Sequence, residues 1–205
     1  MEDYFEGSTV WPEGWTKLRV YFVPAVHEIK PLIDVYRPVF ERFPFVAPVP
    51  YAWLHETLAV IEGRPTRAVT VAELARLQAR LRERIGALPA FTLVVGGALA
   101  TQHGVVLDLT PDHDYVALQR TARAAVADVF GEDAARYGGG RPHIPLAYGA
   151  GSGDSGLVQG RLRNATDRRV TLSVADVRLV DVTQDVARRE LRWRELARIP
   201  LGPAG

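Results

Sequence analysis

The chain contains no cysteine. That excludes disulfides, thiolate nucleophiles and cysteine-ligated zinc, and it is compatible with a reducing cytoplasm. Net charge is nearly absent, at +1 over 205 residues, so the protein as a whole is not built to coat nucleic acid. A small or single-ended substrate suits this balance better, and the abundant arginine leaves room for a local basic cleft. No apolar run reaches the roughly 18 residues that a bilayer span needs. The longest, Phe91 to Ala100, is short and contains glycine. The acidic start, Met1-Glu2-Asp3-Tyr4-Phe5-Glu6, lacks the apolar segment of a secretion signal. These absences lead us to expect a soluble cytoplasmic protein with no membrane partner.

What is present is a globular composition, 47% apolar. Residues 1–16, with Gly7, Pro12 and Gly14, read as a loose lead-in, and residues 17–205 as one domain of two lobes. Leu18 to Val23 alternates as a strand does, and His27 to Arg37 has weak helical spacing that Pro38 is expected to end. Trp53 to Ile61 reads as a buried strand. Thr70 and Glu73 make a capping box ahead of the stripe Leu74, Leu77, Leu81, Ile85, with Gly86 as the stop. Two strands, Phe91 to Val95 and Val105 to Leu109, precede a helix that begins at Thr110-Pro111-Asp112 and stops at Gly131. Gly138-Gly139-Gly140 reads as a flexible loop, His143 to Tyr148 as a strand, and Leu157 to Arg163 as a short helix. The tail is β, with changes of phase near Asp176 and Leu196 that call for a turn or bulge. Each half thus offers a helix and a buried strand with a histidine near its start. The mixture of strands and helices reads as α+β, and the repeated layout hints at two similar lobes, each contributing one histidine.

Those two segments are His55-Glu56-Thr57-Leu58 and His143-Ile144-Pro145-Leu146. Along a strand, residues i and i+2 share a face. His55 and Thr57 therefore lie side by side, as do His143 and Pro145, while Leu58 and Leu146 turn into apolar packing. A single histidine in a strand is ordinarily structural, but two in matched His-x-x-Leu contexts point to a site. By the same parity Tyr148 is expected to face away from it.

On these residues the sequence resembles the two-histidine (2H) phosphoesterase superfamily, which includes 2′-5′ RNA ligase-like proteins and cyclic phosphodiesterases. That superfamily carries two His-x-Thr/Ser-hydrophobic motifs on facing strands. The resemblance covers residues 17–201 and includes Trp53-Leu54 and Arg141-Pro142 ahead of the histidines. It implies a bilobal α+β fold, with two small, mostly antiparallel sheets, outer helices and a central cleft carrying one histidine from each lobe, and a phosphodiesterase that needs no cofactor and no metal. His55 and His143 would be its acid–base pair and Thr57 its phosphate-binding hydroxyl. The substrate would be a 2′,3′-cyclic phosphate, a 2′-5′ linkage, or a related RNA end or cyclic nucleotide. Neither the direction of reaction nor the histidine acting as acid is legible, and a monomer is the default. Pro145 departs from the pattern, because it offers neither a hydroxyl nor a backbone N–H. Two alternatives therefore stand beside the enzyme: a non-catalytic nucleotide or RNA-end binding protein on the same fold, and an unrelated interaction protein.

Other patterns carry less. His55-Glu56 is not followed by a second histidine at Ala59, so the zincin helix is absent. Gly151 to Gly156 matches Gly-x-Gly-x-x-Gly but lacks a parallel βαβ context, and reads as a flexible loop that could close over substrate. Arg188 to Arg194 reads as the solvated face of an edge strand rather than an RNA contact. His27, His103 and His113 have no matching motif and read as surface or packing residues.

Overall fold

The computed structural model describes residues 1–6, 10–138 and 140–203, so Gly7 of the lead-in and Gly139 of the triple-glycine loop lie outside the described residues. The apolar alternation and the helical stripes build two antiparallel sheets with helices outside them, an α+β fold.

The first sheet combines β1 (Thr16–Phe22), β3 (Glu56–Val60), β8 (Asp176–Asp185) and β9 (Glu190–Pro200), ordered β3-β1-β8-β9. The second combines β2 (Val46–Pro48), β4 (Phe91–Ala100), β5 (Gly104–Thr110), β6 (His143–Gly149) and β7 (Val170–Val174), ordered β2-β6-β5-β4-β7. Helices α2 (Val71–Ile85) and α3 (Asp112–Phe130) pack on each other and on the first sheet. Helices α1 (Val26–Phe40) and α4 (Ser155–Arg163) pack on the second. Each lobe does carry one motif, but neither lobe is a contiguous half. The chain leaves β1 for α1 in the other lobe, returns for β3 and α2, and crosses again for β4 and β5. The phase change near Asp176 is the last such crossing, from β7 in one sheet to β8 in the other.

Local rules explain most elements. Helix α2 starts with the full capping box, Thr70 accepting from the Glu73 amide while Glu73 accepts from the Thr70 amide, and buries Leu77, Leu81 and Ile85. Helix α1 runs through Pro31 and Pro38 to Phe40, three residues past the expected end. Burial of Ile29, Leu32, Ile33, Tyr36 and Phe40 outweighs the backbone bonds that the prolines delete. Pro111 precedes α3 rather than occupying its first turn. Strand β4 continues through Gly96 and Gly97 to Ala100 by a bulge between Val95 and Ala98, past Val95 where the first of the two strands had been expected to end. In β9 the extra residue is Leu196, which accounts for the phase slip there.

Residues 1–6 are docked on the second sheet. The Met1 amine donates to the Gly153 carbonyl at 2.6 Å, and Tyr4 N–H to the Gly149 carbonyl at 3.0 Å. Phe5 is buried. Gly149 permits this approach, because a Cβ there would lie 1.9 Å from the Glu2 carbonyl oxygen. Among the described residues no helix is long and apolar enough to cross a membrane.

Candidate functional site

Both motifs use the same local device. Opposite β1, strand β3 pairs Thr57 with Tyr21 and Ala59 with Val20, which leaves Leu58 as an extra residue. Opposite β5, strand β6 pairs Pro145 with Val106 and Ala147 with Val105, which leaves Leu146 extra. Each motif leucine is thus a buried β-bulge residue, and each bulge reverses the side-chain parity beyond it. The parity reading of Tyr148 fails for this reason. Val106 and Gly104 lie on one face of β5, and their partners are Pro145 and Tyr148, so Tyr148 joins His143 and Pro145 on the cleft wall. The strand reading of Trp53 to Ile61 is also corrected at its start. Tyr51–Trp53 forms a 3-10 turn, and His55 sits in extended chain just ahead of β3.

Between the sheets lies a cleft of about 460 Å³. His55 and Thr57 line it from the first lobe, and His143 and Pro145 from the second. The two imidazoles are held alike. His55 Nδ1 bonds the Trp53 carbonyl at 2.7 Å, and His143 Nδ1 bonds the Arg141 carbonyl at 2.7 Å. A carbonyl only accepts, so Nδ1 carries the hydrogen in both rings, and Nε2 is left as the nitrogen available to a ligand.

Their surroundings differ. His55 stacks on Tyr21 at 4.1 Å between centroids and meets the edge of Trp193 at 5.8 Å, leaving it 2% exposed. Burial drives its pKa down to about 3. The bond to Trp53 opposes this, and the charges of Arg19 and His143 add to it. His55 is therefore neutral across the physiological range. The His143 side chain is 35% exposed and keeps contact with water.

Glu56, between the two site residues of its motif, points away from the cleft into the seam of the lobes. Its carboxyl accepts from the Tyr115 hydroxyl and, at 3.0 Å, from the His143 backbone N–H. Burial pushes its pKa well above the usual carboxylate range, against the effect of these two donors. The Oε2 oxygen also lies 3.7 Å from His143 Nδ1, but the hydrogen on that nitrogen goes to Arg141.

Besides Arg141 and Tyr148, which flank the second motif, the cleft holds side chains that no motif marked: Tyr4, Arg19, His103 and Tyr137. His103, read as a surface or packing residue, is exposed and borders the cleft beside Tyr4. Burial raises the pKa of Tyr137 to about 12. His27 and His113 are exposed and lie outside the cleft. No three histidine, aspartate or glutamate side chains converge as metal ligands among the described residues.

The remaining patterns are structural. In the Gly151–Gly156 segment, Gly153 packs on the Phe45 ring and Asp154 caps α4 through the Gly156 amide. Strands β6 and β7 around it run antiparallel, which is not the dinucleotide-binding arrangement. The arginines of the last hairpin pair with carboxylates: Arg189 with Asp3, Arg192 with Asp185 and Arg194 with Asp181.

No protein-family profile and no curated protein matches the chain. Solved structures do. TT0787 of Thermus thermophilus superposes with a TM-score of 0.70 at 18% identity, covering 91% of this chain and 98% of its own. A protein described as a phosphoesterase gives 0.66 at 21%, covering 92% and 99%. Escherichia coli LigT bound to NADP+ gives 0.67 at 19%, covering 91% and 98%. LigT has also been solved with ATP, with phosphate and with 3′-AMP. At these identities the likeness is one of fold, and it extends over nearly the whole chain.

Proposed function

We propose that the protein is a metal-independent two-histidine phosphoesterase that hydrolyses 2′,3′-cyclic phosphates, 2′-5′ phosphodiesters or related RNA-end and cyclic nucleotide substrates. The observation that carries this reading is the matched pair of imidazoles. Each has Nδ1 tied to a backbone carbonyl two residues earlier and Nε2 available to one shared cleft. The fold shared with a phosphoesterase, and with LigT in its nucleotide complexes, supports it.

The environments suggest the division of labour. Neutral His55 is the base: its Nε2 takes a proton from water as the water oxygen bonds to phosphorus. A bound phosphodiester anion raises its pKa towards the working pH. His143, open to water, gives a proton from Nε2 to the ribose oxygen as the phosphorus–oxygen bond breaks, and is recharged from solvent. The Thr57 hydroxyl holds a non-bridging oxygen.

The test is hydrolysis of nucleoside 2′,3′-cyclic phosphates and a 2′-5′-linked dinucleotide in EDTA. Wild type is expected to turn over, and His55→Ala and His143→Ala to lose on the order of 10²–10⁴-fold in rate. Nucleotide binding without turnover in the wild type would instead support the non-catalytic binding protein.

A further inference from the structure

Among the described residues, four buried side-chain polar atoms lack a hydrogen-bond partner, and two of them belong to side chains of the same cleft: Arg19 Nε and the Tyr148 hydroxyl. They come from different lobes. Arg19 lies on β1, on the cleft wall that carries His55 and Thr57, and Tyr148 lies on β6 beyond the Leu146 bulge. Arg19 makes one weak hydrogen bond, Nη1 to the Tyr21 hydroxyl at 3.3 Å, and its guanidinium is 5.0 Å from the Trp11 ring centroid. No carboxylate pairs with it among the described residues, unlike the arginines of the hairpin. The Tyr148 ring stacks on Tyr4 at 4.8 Å and meets the edge of Phe5 at 5.3 Å, so the hydroxyl is held in place while its hydrogen bond goes unmade.

A buried guanidinium Nε and a buried hydroxyl that each lack a hydrogen-bond partner are unfavourable as they stand and favourable once an anionic oxygen meets them. Pro145 lies between His143 and Tyr148 on the same face of the strand and has nothing to donate. We propose that Arg19 and Tyr148 bind an anionic oxygen of the substrate phosphate from opposite walls of the cleft, supplying the hold that a hydroxyl at position 145 would give. The inference rests on the cleft being the phosphate site. It adds that the second phosphate-binding arm is built from a residue of the other lobe and a residue turned inward by a bulge.

Inorganic phosphate is the probe, titrated by calorimetry against wild type, Arg19→Gln, Arg19→Lys and Tyr148→Phe, with thermal unfolding followed in parallel without phosphate. Loss of a charge-assisted bond predicts that Arg19→Gln binds on the order of 10–100-fold more weakly, and loss of a neutral one that Tyr148→Phe binds roughly 2–10-fold more weakly. Arg19→Lys keeps the charge and is expected to recover part of the affinity. A structural role for Arg19 would lower the melting temperature of Arg19→Gln, whereas a phosphate-binding role predicts an unchanged or higher one. Wild-type affinity in Arg19→Gln and Tyr148→Phe, or a loss in Arg19→Gln that tracks its unfolding and is absent from Arg19→Lys and Tyr148→Phe, overturns the proposal. The readout does not depend on turnover. Phosphate binding that needs Arg19 and Tyr148 in a protein without phosphodiesterase activity upholds this inference and defeats the catalytic reading. Turnover with wild-type phosphate affinity in the variants does the reverse.

Discussion

The Glu56 carboxyl accepts the backbone N–H of His143 at 3.0 Å, so the residue next to one histidine positions the other across the seam between lobes. The Tyr115 hydroxyl, from α3, donates to the same carboxyl. Glu56→Ala would orphan both donors and is expected to cost on the order of 2–5 kcal/mol. Glu56→Gln retains an acceptor for His143 and places an N–H against the tyrosine oxygen, so its stability should lie much nearer to wild type. Urea unfolding of both variants checks this, and a stability for Glu56→Ala equal to that of Glu56→Gln would refute it.

The environment of His55 makes a pH prediction. Its folded pKa, about 3, lies below the ordinary histidine value of 6.5. Between these two values the unfolded chain binds the extra proton, so this residue's contribution to stability is fully present above pH 6.5 and is lost as the pH falls towards 3. The loss at the acid end is on the order of a few kcal/mol. Glu56, with its raised pKa, pulls the other way above the ordinary carboxylate range. The informative quantity is therefore the difference between wild type and His55→Gln across pH 3–7, which should narrow as the pH falls. A difference that does not vary with pH would sink the assignment.

Thr57 and Pro145 occupy equivalent places beside their histidines, and only one has a hydroxyl. Thr57→Val keeps the shape and removes the hydroxyl proposed to hold the phosphate. A fall of roughly tenfold or less in kcat/KM is expected on nucleoside 2′,3′-cyclic phosphates. Pro145→Thr restores a hydroxyl on the cleft face, and kcat/KM should rise a few-fold. Steady-state kinetics on the two variants measures both effects, and a rise in Thr57→Val would remove Thr57 from the site.

Docking of the first six residues depends on Gly149. A methyl group there would meet the Glu2 carbonyl oxygen at 1.9 Å, so Gly149→Ala should displace the segment and uncover Tyr148 and Phe5. Exposing the buried Phe5 alone costs about 1.5–3 kcal/mol. Hydrogen exchange at the Tyr4 amide, which bonds the Gly149 carbonyl in the wild type, should become fast. Continued protection of that amide in the variant would show that the segment is held by other contacts.

Periodicity, capping residues and the two His-x-x-Leu segments determined a good deal by themselves. Helix α2 was legible from Thr70 to Gly86 because a capping box and an apolar stripe are local. The α+β class followed from the strand and helix patterns, and the meeting of His55, Thr57 and His143 in one cleft was what the family resemblance of the doubled motif implied. The rest depended on partners distant in the chain. Whether Tyr148 faces the cleft is decided by the pairing of β6 with β5, since one unpaired residue at Leu146 reverses every direction after it. The low pKa of His55 comes from burial against Tyr21 and Trp193, and Arg19 is without an ion-pair partner because no carboxylate faces it among the described residues. The exchange of helices between lobes is likewise invisible to any window of sequence. Period and capping are properties of neighbours along the backbone, whereas side-chain facing, desolvation and charge pairing are set by segments that meet only when the chain has folded.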